Sequence, residues 1–172
     1  MRNVILCGFM GCGKTTVGRE LAARTGMTFV DMDVYIEEQA GMTVSDLFAH
    51  YGEEEFRRRE REACRELAAR TNQVIAAGGG ALTFPVNAEA LRQSGVIVLL
   101  EISPQAVLAR LEGDTTRPLL QRPDKAEAVR QLLNDRLPLY QKAADCRVNA
   151  EQEPAAVAGD IVLAIKQLVD NK

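Results

Sequence analysis

Several residue types are rare or missing in this sequence, and each absence excludes a class of chemistry. Tryptophan is absent, and the 172 residues contain a single histidine, His50. A histidine-based catalytic triad or a multi-histidine zinc site is therefore excluded or nearly so, and His50 is expected to be structural. The four cysteines form no C-x-x-C pair, which argues against a zinc ribbon and favours reduced thiols in a cytoplasmic protein. No run of ~18 apolar residues occurs, so no transmembrane helix is expected.

The charge of the chain is close to balanced. Lys and Arg number 21 and Asp and Glu number 24, so the net charge is −3, too small to indicate binding to nucleic acid or to a membrane. Hydrophobic residues make up 47% and charged residues 26%, which is typical of a globular chain. The length predicts a single domain, residues 1–172, which we expect to act as a monomer.

Short apolar runs alternate with helical periodicity along the chain, which indicates an α/β fold. Predicted strands cover residues 4–8, 28–31, 74–77, 96–102 and 146–149. Predicted helices cover residues 15–24, 34–39, 44–51, 53–70 and 154–169, and another begins at Ser103 and Pro104. Residues 113–124 are predicted to form one long mobile loop. A parallel sheet of this kind is covered on both faces and binds ligands beyond the carboxyl ends of its strands.

The first predicted strand runs into a glycine-rich motif. Residues 8–15, GFMGCGKT, fit the pattern G-x-x-x-x-G-K-[ST] without a mismatch. The glycines let backbone N–H groups point at phosphate oxygens, and the helix that follows adds the positive end of its dipole. Lys14 can place a charge on the outer phosphates, and the Thr15 hydroxyl can bind Mg²⁺. The motif therefore predicts a nucleotide phosphate site, with Cys12 inside it as a thiol that alkylates readily.

Acidic residues and glycines follow the second and third strands. One carboxylate of Asp31-Met32-Asp33 can hold Mg²⁺ through water and the other can accept a hydroxyl proton, although Asp33 could instead cap the next helix. The segment Gly78-Gly79-Gly80 ends the third strand. It indicates either a flexible break or a close approach of a ligand to the backbone, and we favour the second.

Arginines are numerous, and periodicity alone does not show which of them contacts a substrate. Residues 53–66 are dense in Glu and Arg at helical spacing, which predicts a solvated helix face. Arg117 lies within the predicted loop. Arg136 precedes Leu137-Pro138, where we predict the end of a helix.

In order and spacing, these motifs resemble the shikimate kinase family of small P-loop kinases along nearly the whole chain. The matching segments are GFMGCGKTT at 8–16, FVDMD at 29–33, EFRR at 55–58, GGG at 78–80, TRPLL at 116–120 and RLPLY at 136–140. The resemblance implies transfer of the γ-phosphate of ATP to the 3-hydroxyl of shikimate. It also implies a three-layer P-loop kinase fold with five parallel strands in the order 2-3-1-4-5, helices on both faces and a mobile lid at about residues 112–124.

The resemblance further implies roles for individual residues. Asp33, Lys14 and Arg117 would be catalytic, with Asp33 taking the hydroxyl proton. Shikimate would be bound by Asp33, Arg57, Gly78, Gly79, Gly80 and Arg136, the two arginines holding its carboxylate. ATP would be bound by Gly11, Cys12, Gly13, Lys14, Thr15, Thr16, Arg110, Arg117 and Gln152. Thr15 and Asp31 would hold Mg²⁺, and the substrate-binding helices would span about residues 33–61.

Two positions depart from the family pattern. Ala77 precedes the triple glycine where many relatives carry Ser or Thr, which predicts altered water structure near the metal. No arginine occurs at residues 150–154, so an adenine contact there falls to Gln152 or to the backbone, and weaker nucleotide binding is expected.

Two alternative functions stay open. A related kinase of a small acid, such as a gluconate kinase, would use the same arginine clamp. A nucleotide-dependent switch belongs to a different class of protein. A GTPase switch would need an Asn/Thr-Lys-x-Asp motif, which is absent, and an inactive sensor would be expected to lose Asp33 or Lys14, which are both present.

Overall fold

The computed structural model describes residues 2–171, so Met1 and Lys172, the ends of the predicted domain, lie outside the described residues. Five strands form one parallel sheet in the order β2-β3-β1-β4-β5. The strands are β1 Asn3–Cys7, β2 Thr28–Asp31, β3 Gln73–Ala76, β4 Gly95–Glu101 and β5 Cys146–Asn149. The predicted strand order is confirmed, and the predicted strand positions agree to within one residue.

Seven helices cover the two faces of the sheet within residues 2–171. They are α1 Lys14–Thr25, α2 Met32–Ala40, α3 Val44–Ala68, α4 Pro85–Ser94, α5 Pro104–Arg110, α6 Lys125–Ala143 and α7 Pro154–Asp170. Side chains of β1 alternate between two cores: Val4 and Leu6 pack with α1 and α7, whereas Ile5 and Cys7 pack with α2 to α6. The fold therefore has three layers. None of these helices is both long enough and apolar enough to span a membrane.

The predicted end of a helix at Pro138 is wrong. Helix α6 continues through Pro138 to Ala143, although proline provides no N–H for the helical ladder. The next turn is retained because Tyr140 and Ala143 are buried in the core. Burial of that turn therefore outweighs the local effect of the proline.

Other elements also differ from the prediction. Helix α4 and the 3-10 helix Ala81–Thr83 before it were not predicted. The two helices predicted over residues 44–70 join into α3, and Gly52, at φ 82° and ψ 174°, marks the kink between them. The predicted loop at residues 113–124 contains a second 3-10 helix, Pro118–Gln121.

Candidate active site

The loop between β1 and α1 forms a tight cradle. Gly11 and Gly13 have φ values of 74° and 92°, a left-handed conformation that favours glycine. Lys14 is the first residue of α1, and its Nζ donates to the carbonyl oxygens of Gly8 at 2.6 Å and Phe9 at 3.1 Å. The charge of Lys14 and the positive end of the α1 dipole therefore lie together at the carboxyl edge of the sheet, where they can bind a polyphosphate.

Cys12 belongs to the same loop but is almost completely buried. It is 1% exposed, and its Sγ accepts a hydrogen bond from Lys14 Nζ at 3.7 Å. A reagent must reach the sulfur in order to react with it, so burial opposes the fast alkylation that the sequence predicted.

Asp31, the last residue of β2, connects the cradle to helix α2. Its Oδ1 accepts hydrogen bonds from the backbone N–H groups of Asp33 at 3.0 Å and Val34 at 3.2 Å, which makes Asp31 the N-cap of α2. Its Oδ2 accepts a hydrogen bond from the Thr15 hydroxyl at 3.1 Å. Asp31 therefore caps the helix, and the alternative of Asp33 as the cap is wrong.

Thr15 and Asp31 present two oxygen atoms of the type that Mg²⁺ prefers. Mg²⁺ is octahedral and keeps several waters, and in kinases it takes further oxygens from the substrate phosphates. Among residues 2–171, no group of three or more His, Cys, Asp or Glu side chains is arranged to hold a metal by itself. The donor set therefore fits a Mg²⁺ ion that is shared with nucleotide phosphates.

Asp33 lies in the first turn of α2, next to the cradle. Burial raises the pKa of Asp33, and the negative charge of Asp31 raises it further, whereas Lys14 and Arg57 oppose this shift. A carboxylate whose pKa is raised binds a proton more readily than an ordinary aspartate. Asp33 is therefore suited to accept a proton in a reaction near neutral pH.

Arg57 and Glu60 form an ion pair on α3. Arg57 Nη1 donates to Glu60 Oε1 at 2.8 Å. Glu60 is 1% exposed, and burial raises its pKa although Arg57 opposes the shift. Glu60 was not predicted from the sequence, because its spacing from an arginine is the same as in the exposed pairs of this helix. The pair fixes one edge of the Arg57 guanidinium.

The glycines after β3 make room for these charged side chains. A Cβ added at Gly78 would lie 2.8 Å from Asp33 Oδ1 and 3.2 Å from Glu60 Oε2. A Cβ added at Gly80 would lie 2.8 Å from both Nη1 and Nη2 of Arg57. Side chains of the protein therefore approach this backbone closely, which a purely flexible break does not explain, and the predicted approach of a ligand stays a prediction.

Arg136 and Tyr140 reach Gly79 from α6. Arg136 Nη1 donates to the Gly79 carbonyl oxygen at 3.5 Å, and the Tyr140 hydroxyl donates to the same oxygen. Burial raises the pKa of Tyr140 to about 12, so its hydroxyl stays a donor at neutral pH. Tyr140 takes part in this contact because α6 continues beyond Pro138.

Arg117 lies in the segment predicted to form a lid, residues 112–124, at the start of its 3-10 helix, and lines the cleft beside the cradle. Its Nη1 donates to the carboxylate of Asp114. Asp114 Oδ1 also accepts hydrogen bonds from the Thr116 hydroxyl at 2.7 Å and from the Thr116 N–H at 2.8 Å. These hydrogen bonds, together with the charge of Arg117, hold the pKa of Asp114 below its usual range. The carboxylate of Asp114 therefore organises this part of the lid.

Arg110 contacts the cradle, and Gln152 lies in the loop after β5. Arg110 donates to the carbonyl oxygens of Gly11 at 3.2 Å and Ala150 at 2.6 Å, so it ties the cradle to the loop after β5. Gln152 lies in that loop and donates to the Asn149 carbonyl oxygen at 3.0 Å. A groove of about 600 Å³ runs nearby, lined by Thr15, Thr16, Arg19, Glu20, Glu153, Pro154 and Ala155.

A cleft of about 610 Å³ joins the cradle, the ends of β2 and β3, and the lid. Phosphoryl transfer needs an anion cradle, oxygen ligands for a metal, and an acid–base group beside the acceptor. All of these lie at one edge of the sheet. The fold and the site therefore define a P-loop kinase that acts on a small molecule.

The comparison with known proteins identifies the particular family. A family model described as shikimate kinase matches residues 10–166. The chain belongs to the shikimate kinase family, as its motifs predicted. It is an enzyme that phosphorylates shikimate with ATP as the phosphoryl donor.

Individual relatives agree with this assignment. A shikimate kinase from Symbiobacterium thermophilum is 49% identical over 148 residues, which is 85% of each chain. One from Thermodesulfovibrio yellowstonii is 40% identical over 172 residues, covering 100% of this chain and 99% of the relative. The solved structure of a shikimate kinase from Acinetobacter baumannii in complex with shikimate has a TM-score of 0.90 and 39% identity, covering 100% of this chain and 95% of that one.

The two alternative functions receive less support. A gluconokinase from Sinorhizobium meliloti has a TM-score of 0.62 at 17% identity, which shows a shared fold alone. The family assignment also contradicts the alternative function of a nucleotide-dependent switch, since the members of this family are kinases.

Proposed function

We propose that Asp33, Arg57 and Arg136 bind shikimate around the segment Gly78–Gly80. The observation that carries this proposal is that three helices, α2, α3 and α6, each bring one of these charged side chains to the same glycine segment. Shikimate is a small acid with several hydroxyl groups, so its pocket needs cations and hydrogen-bond acceptors. Arg57 and Arg136 supply planar guanidinium groups that match a carboxylate, and Asp33 supplies the acceptor.

The three glycines contribute through their backbone. Gly79 offers a main-chain contact to the shikimate ring, while Gly78 and Gly80 leave space for the side chains beside it. The proposed substrate-binding segment, at about residues 33–61, corresponds to α2 and most of α3, and α6 adds Arg136. The single domain is proposed to span residues 1–172.

ATP is proposed to place its phosphates in the cradle. Backbone N–H groups of residues 11–16 are proposed to bind the phosphate oxygens, and Lys14 adds a positive charge. The N–H of Cys12, which donates to the Phe9 carbonyl oxygen at 3.2 Å, would have to exchange this partner for a phosphate oxygen. Thr15 and Asp31 would hold Mg²⁺, which neutralises charge on the phosphates when it is bound. Arg110 and Gln152 are proposed to flank the adenine.

The chemical step follows from this arrangement. Asp33 accepts the proton of the 3-hydroxyl while that oxygen bonds to the γ-phosphorus, and the bond to the β–γ bridging oxygen breaks to release ADP. Lys14, together with Arg117 in the lid, stabilises the charge that spreads over the transferring phosphoryl group. Closure of the lid excludes water, which would otherwise hydrolyse ATP.

The role of Asp33 is tested by Asp33→Asn. We expect this variant to bind ATP normally and to lose turnover by ~10²-fold or more, the usual scale for assistance by a general base. ADP release with ATP, Mg²⁺ and shikimate measures turnover, and calorimetry measures nucleotide binding. Asp46→Asn, at an exposed acid in the first turn of α3, is the matched control. Near-normal turnover would remove Asp33 from the role of base.

The role of Arg136 is tested by Arg136→Ala. We expect mainly a higher KM for shikimate, because a carboxylate contact stabilises the ground state and the transition state alike. Arg130→Ala, at an exposed arginine of the same helix, is the control. Gluconate is included as a second acceptor. An unchanged KM for shikimate, or faster use of gluconate by the wild-type enzyme, would contradict the proposed pocket.

A further inference from the structure

Phe84 is an aromatic residue at the edge of the proposed substrate pocket. It follows the 3-10 helix Ala81–Thr83 and is 37% exposed, although its side chain is large and apolar. The guanidinium carbon of Arg57 lies 5.2 Å from the centroid of the Phe84 ring and 5.3 Å from that of Phe56. Both distances are within the range of cation–π attraction. Phe84 therefore contacts the guanidinium group that we assign to the substrate carboxylate.

An aromatic ring restrains a guanidinium group without occupying its donors. The N–H groups of guanidinium point outward in its plane, whereas the ring binds over its face. Glu60 acts differently, because it accepts a hydrogen bond from Arg57 Nη1 at 2.8 Å and so uses a donor. Arg57 Nε is buried and lies 3.6 Å from Glu53 Oε1, so the donors that the contact with Phe84 leaves for a ligand are those of the terminal nitrogens that Glu60 does not use.

The backbone that carries Phe84 is anchored to the glycine segment. The Thr83 hydroxyl donates to the Gly80 carbonyl oxygen at 2.6 Å. The backbone N–H of Asn87 donates to the carbonyl oxygen of Phe84 at 3.0 Å, and the side chain of Asn87 is tied to the 3-10 helix at 2.9 Å. Gly80 itself lies against the Arg57 guanidinium. The short stretch from Gly80 to Phe84 therefore carries both the backbone and the aromatic ring that contact this guanidinium.

We propose that Phe84 is a positioning residue that fixes the orientation of Arg57 for binding the carboxylate of the substrate. This inference rests on the proposed role of Arg57 as a carboxylate ligand. A long side chain that is ordered only when substrate arrives weakens binding, and restraint beforehand removes that loss. Phe84 therefore acts on the KM for shikimate and leaves phosphoryl transfer unchanged.

Phe84→Leu removes the ring and keeps most of the apolar volume. We expect the KM for shikimate to rise about two- to fivefold, the range implied by a partly exposed cation–π contact, with kcat and the KM for ATP unchanged. Phe84→Tyr and Phe84→Trp keep an aromatic face and should retain the wild-type KM. Val86→Ala, at a residue that is 46% exposed at the start of α4, is the control and should change none of these constants. Should Phe84→Leu fail to fold, Phe84→Met carries the same test.

A double-mutant cycle shows whether Phe84 acts through Arg57. If it does, Phe84→Leu has no further effect on KM in an Arg57→Ala background. The inference is overturned by an unchanged KM in the single variant Phe84→Leu, by an effect that persists in the Arg57→Ala background, or by a raised KM in Phe84→Tyr. An Arg57→Ala variant with a wild-type KM would instead overturn the proposed role of Arg57, and the inference with it.

Discussion

Alanine substitutions at the three glycines after β3 are expected to give three different kinetic results. Gly80 has φ −103° and ψ −7°, and neither Gly78 nor Gly79 has a φ in the left-handed region. Alanine can adopt these backbone conformations without strain. The effect of each added methyl group is therefore steric and depends on the atoms that it meets.

The nearest atoms differ between the three positions. A Cβ at Gly80 meets both terminal nitrogens of Arg57 at 2.8 Å, and a Cβ at Gly78 meets Asp33 Oδ1 at 2.8 Å. A Cβ at the glycine between them has Arg136 Nη1 as its nearest neighbour, at 3.6 Å, which is an ordinary contact. Gly80→Ala thus displaces a proposed carboxylate ligand and Gly78→Ala displaces the proposed base, whereas alanine at the glycine between them displaces neither.

The size of the effect follows from the displacement. An atom at 2.8 Å must move to about 3.4 Å to reach ordinary contact, a shift of about 0.6 Å. Misplacement by ~1 Å can reduce activity ~10²-fold, so a shift of this size predicts a loss of about tenfold. In Gly80→Ala the loss should appear as a higher KM for shikimate, because Arg57 is proposed to bind its carboxylate. In Gly78→Ala it should appear in kcat, because Asp33 is proposed to accept the proton.

Steady-state ADP release, titrated separately with shikimate and ATP, measures these constants, and thermal melting follows stability. The displaced atoms are the ends of side chains, so the Tm of Gly78→Ala and Gly80→Ala should change little. Gly159→Ala, in α7, controls for an added methyl group away from the site. A wild-type KM in Gly80→Ala would refute the steric explanation. So would the same fall in kcat and the same rise in KM in both variants, accompanied by a large fall in Tm.

Three further predictions concern stability, thiol chemistry and the lid. Asp33→Asn should raise Tm near pH 8 and raise it less near pH 4, because burial raises the pKa of Asp33 and its ionisation therefore destabilises the folded state as the pH rises. Equal Tm values for the variant and the wild type at pH 8 would contradict this. In mass-mapped alkylation of the folded protein, the partly buried Cys146 should react before Cys7 and Cys64, because those two thiols are buried and burial raises their pKa values to about 12. Alkylation of Cys7 or Cys64 before Cys146 would be inconsistent with the structure. Asp114→Asn should speed amide hydrogen exchange in the lid about fivefold, since the substitution weakens the hydrogen bonds that organise this segment. An unchanged exchange rate would show that these hydrogen bonds do not order the lid.

The strands and the phosphate cradle could be predicted from the sequence because both depend on local signals. Strands buried on both faces appear as short apolar runs, and β1 is buried at every residue. The cradle requires glycine, lysine and threonine at fixed spacing, which few other structures require. The order of the strands has no such local signal, and it was predicted only from the resemblance to a family.

The parts that were missed depend on contacts between distant segments. Pro138 is a local signal for a helix end, yet burial of Tyr140 against the core extends α6 beyond it. The triple glycine signals a close approach, but the sequence does not show that Asp33 and Arg57 are the side chains that approach. Glu60 was missed because its burial depends on how α3 packs and not on its spacing from arginine.

Helix α3 shows why charge density alone does not locate the substrate pocket. Glu55 is partly exposed, and hydrogen bonds from Arg58 lower its pKa to about 2, so its ionised form favours the folded state at neutral pH. Burial raises the pKa of Glu60, so its charge opposes folding even with Arg57 beside it. Charges that reduce stability are retained where they serve binding or catalysis, and Glu60 and Asp33 lie against the same glycine. The opposite directions of these two pKa shifts therefore distinguish Glu60, which borders the proposed pocket, from Glu55.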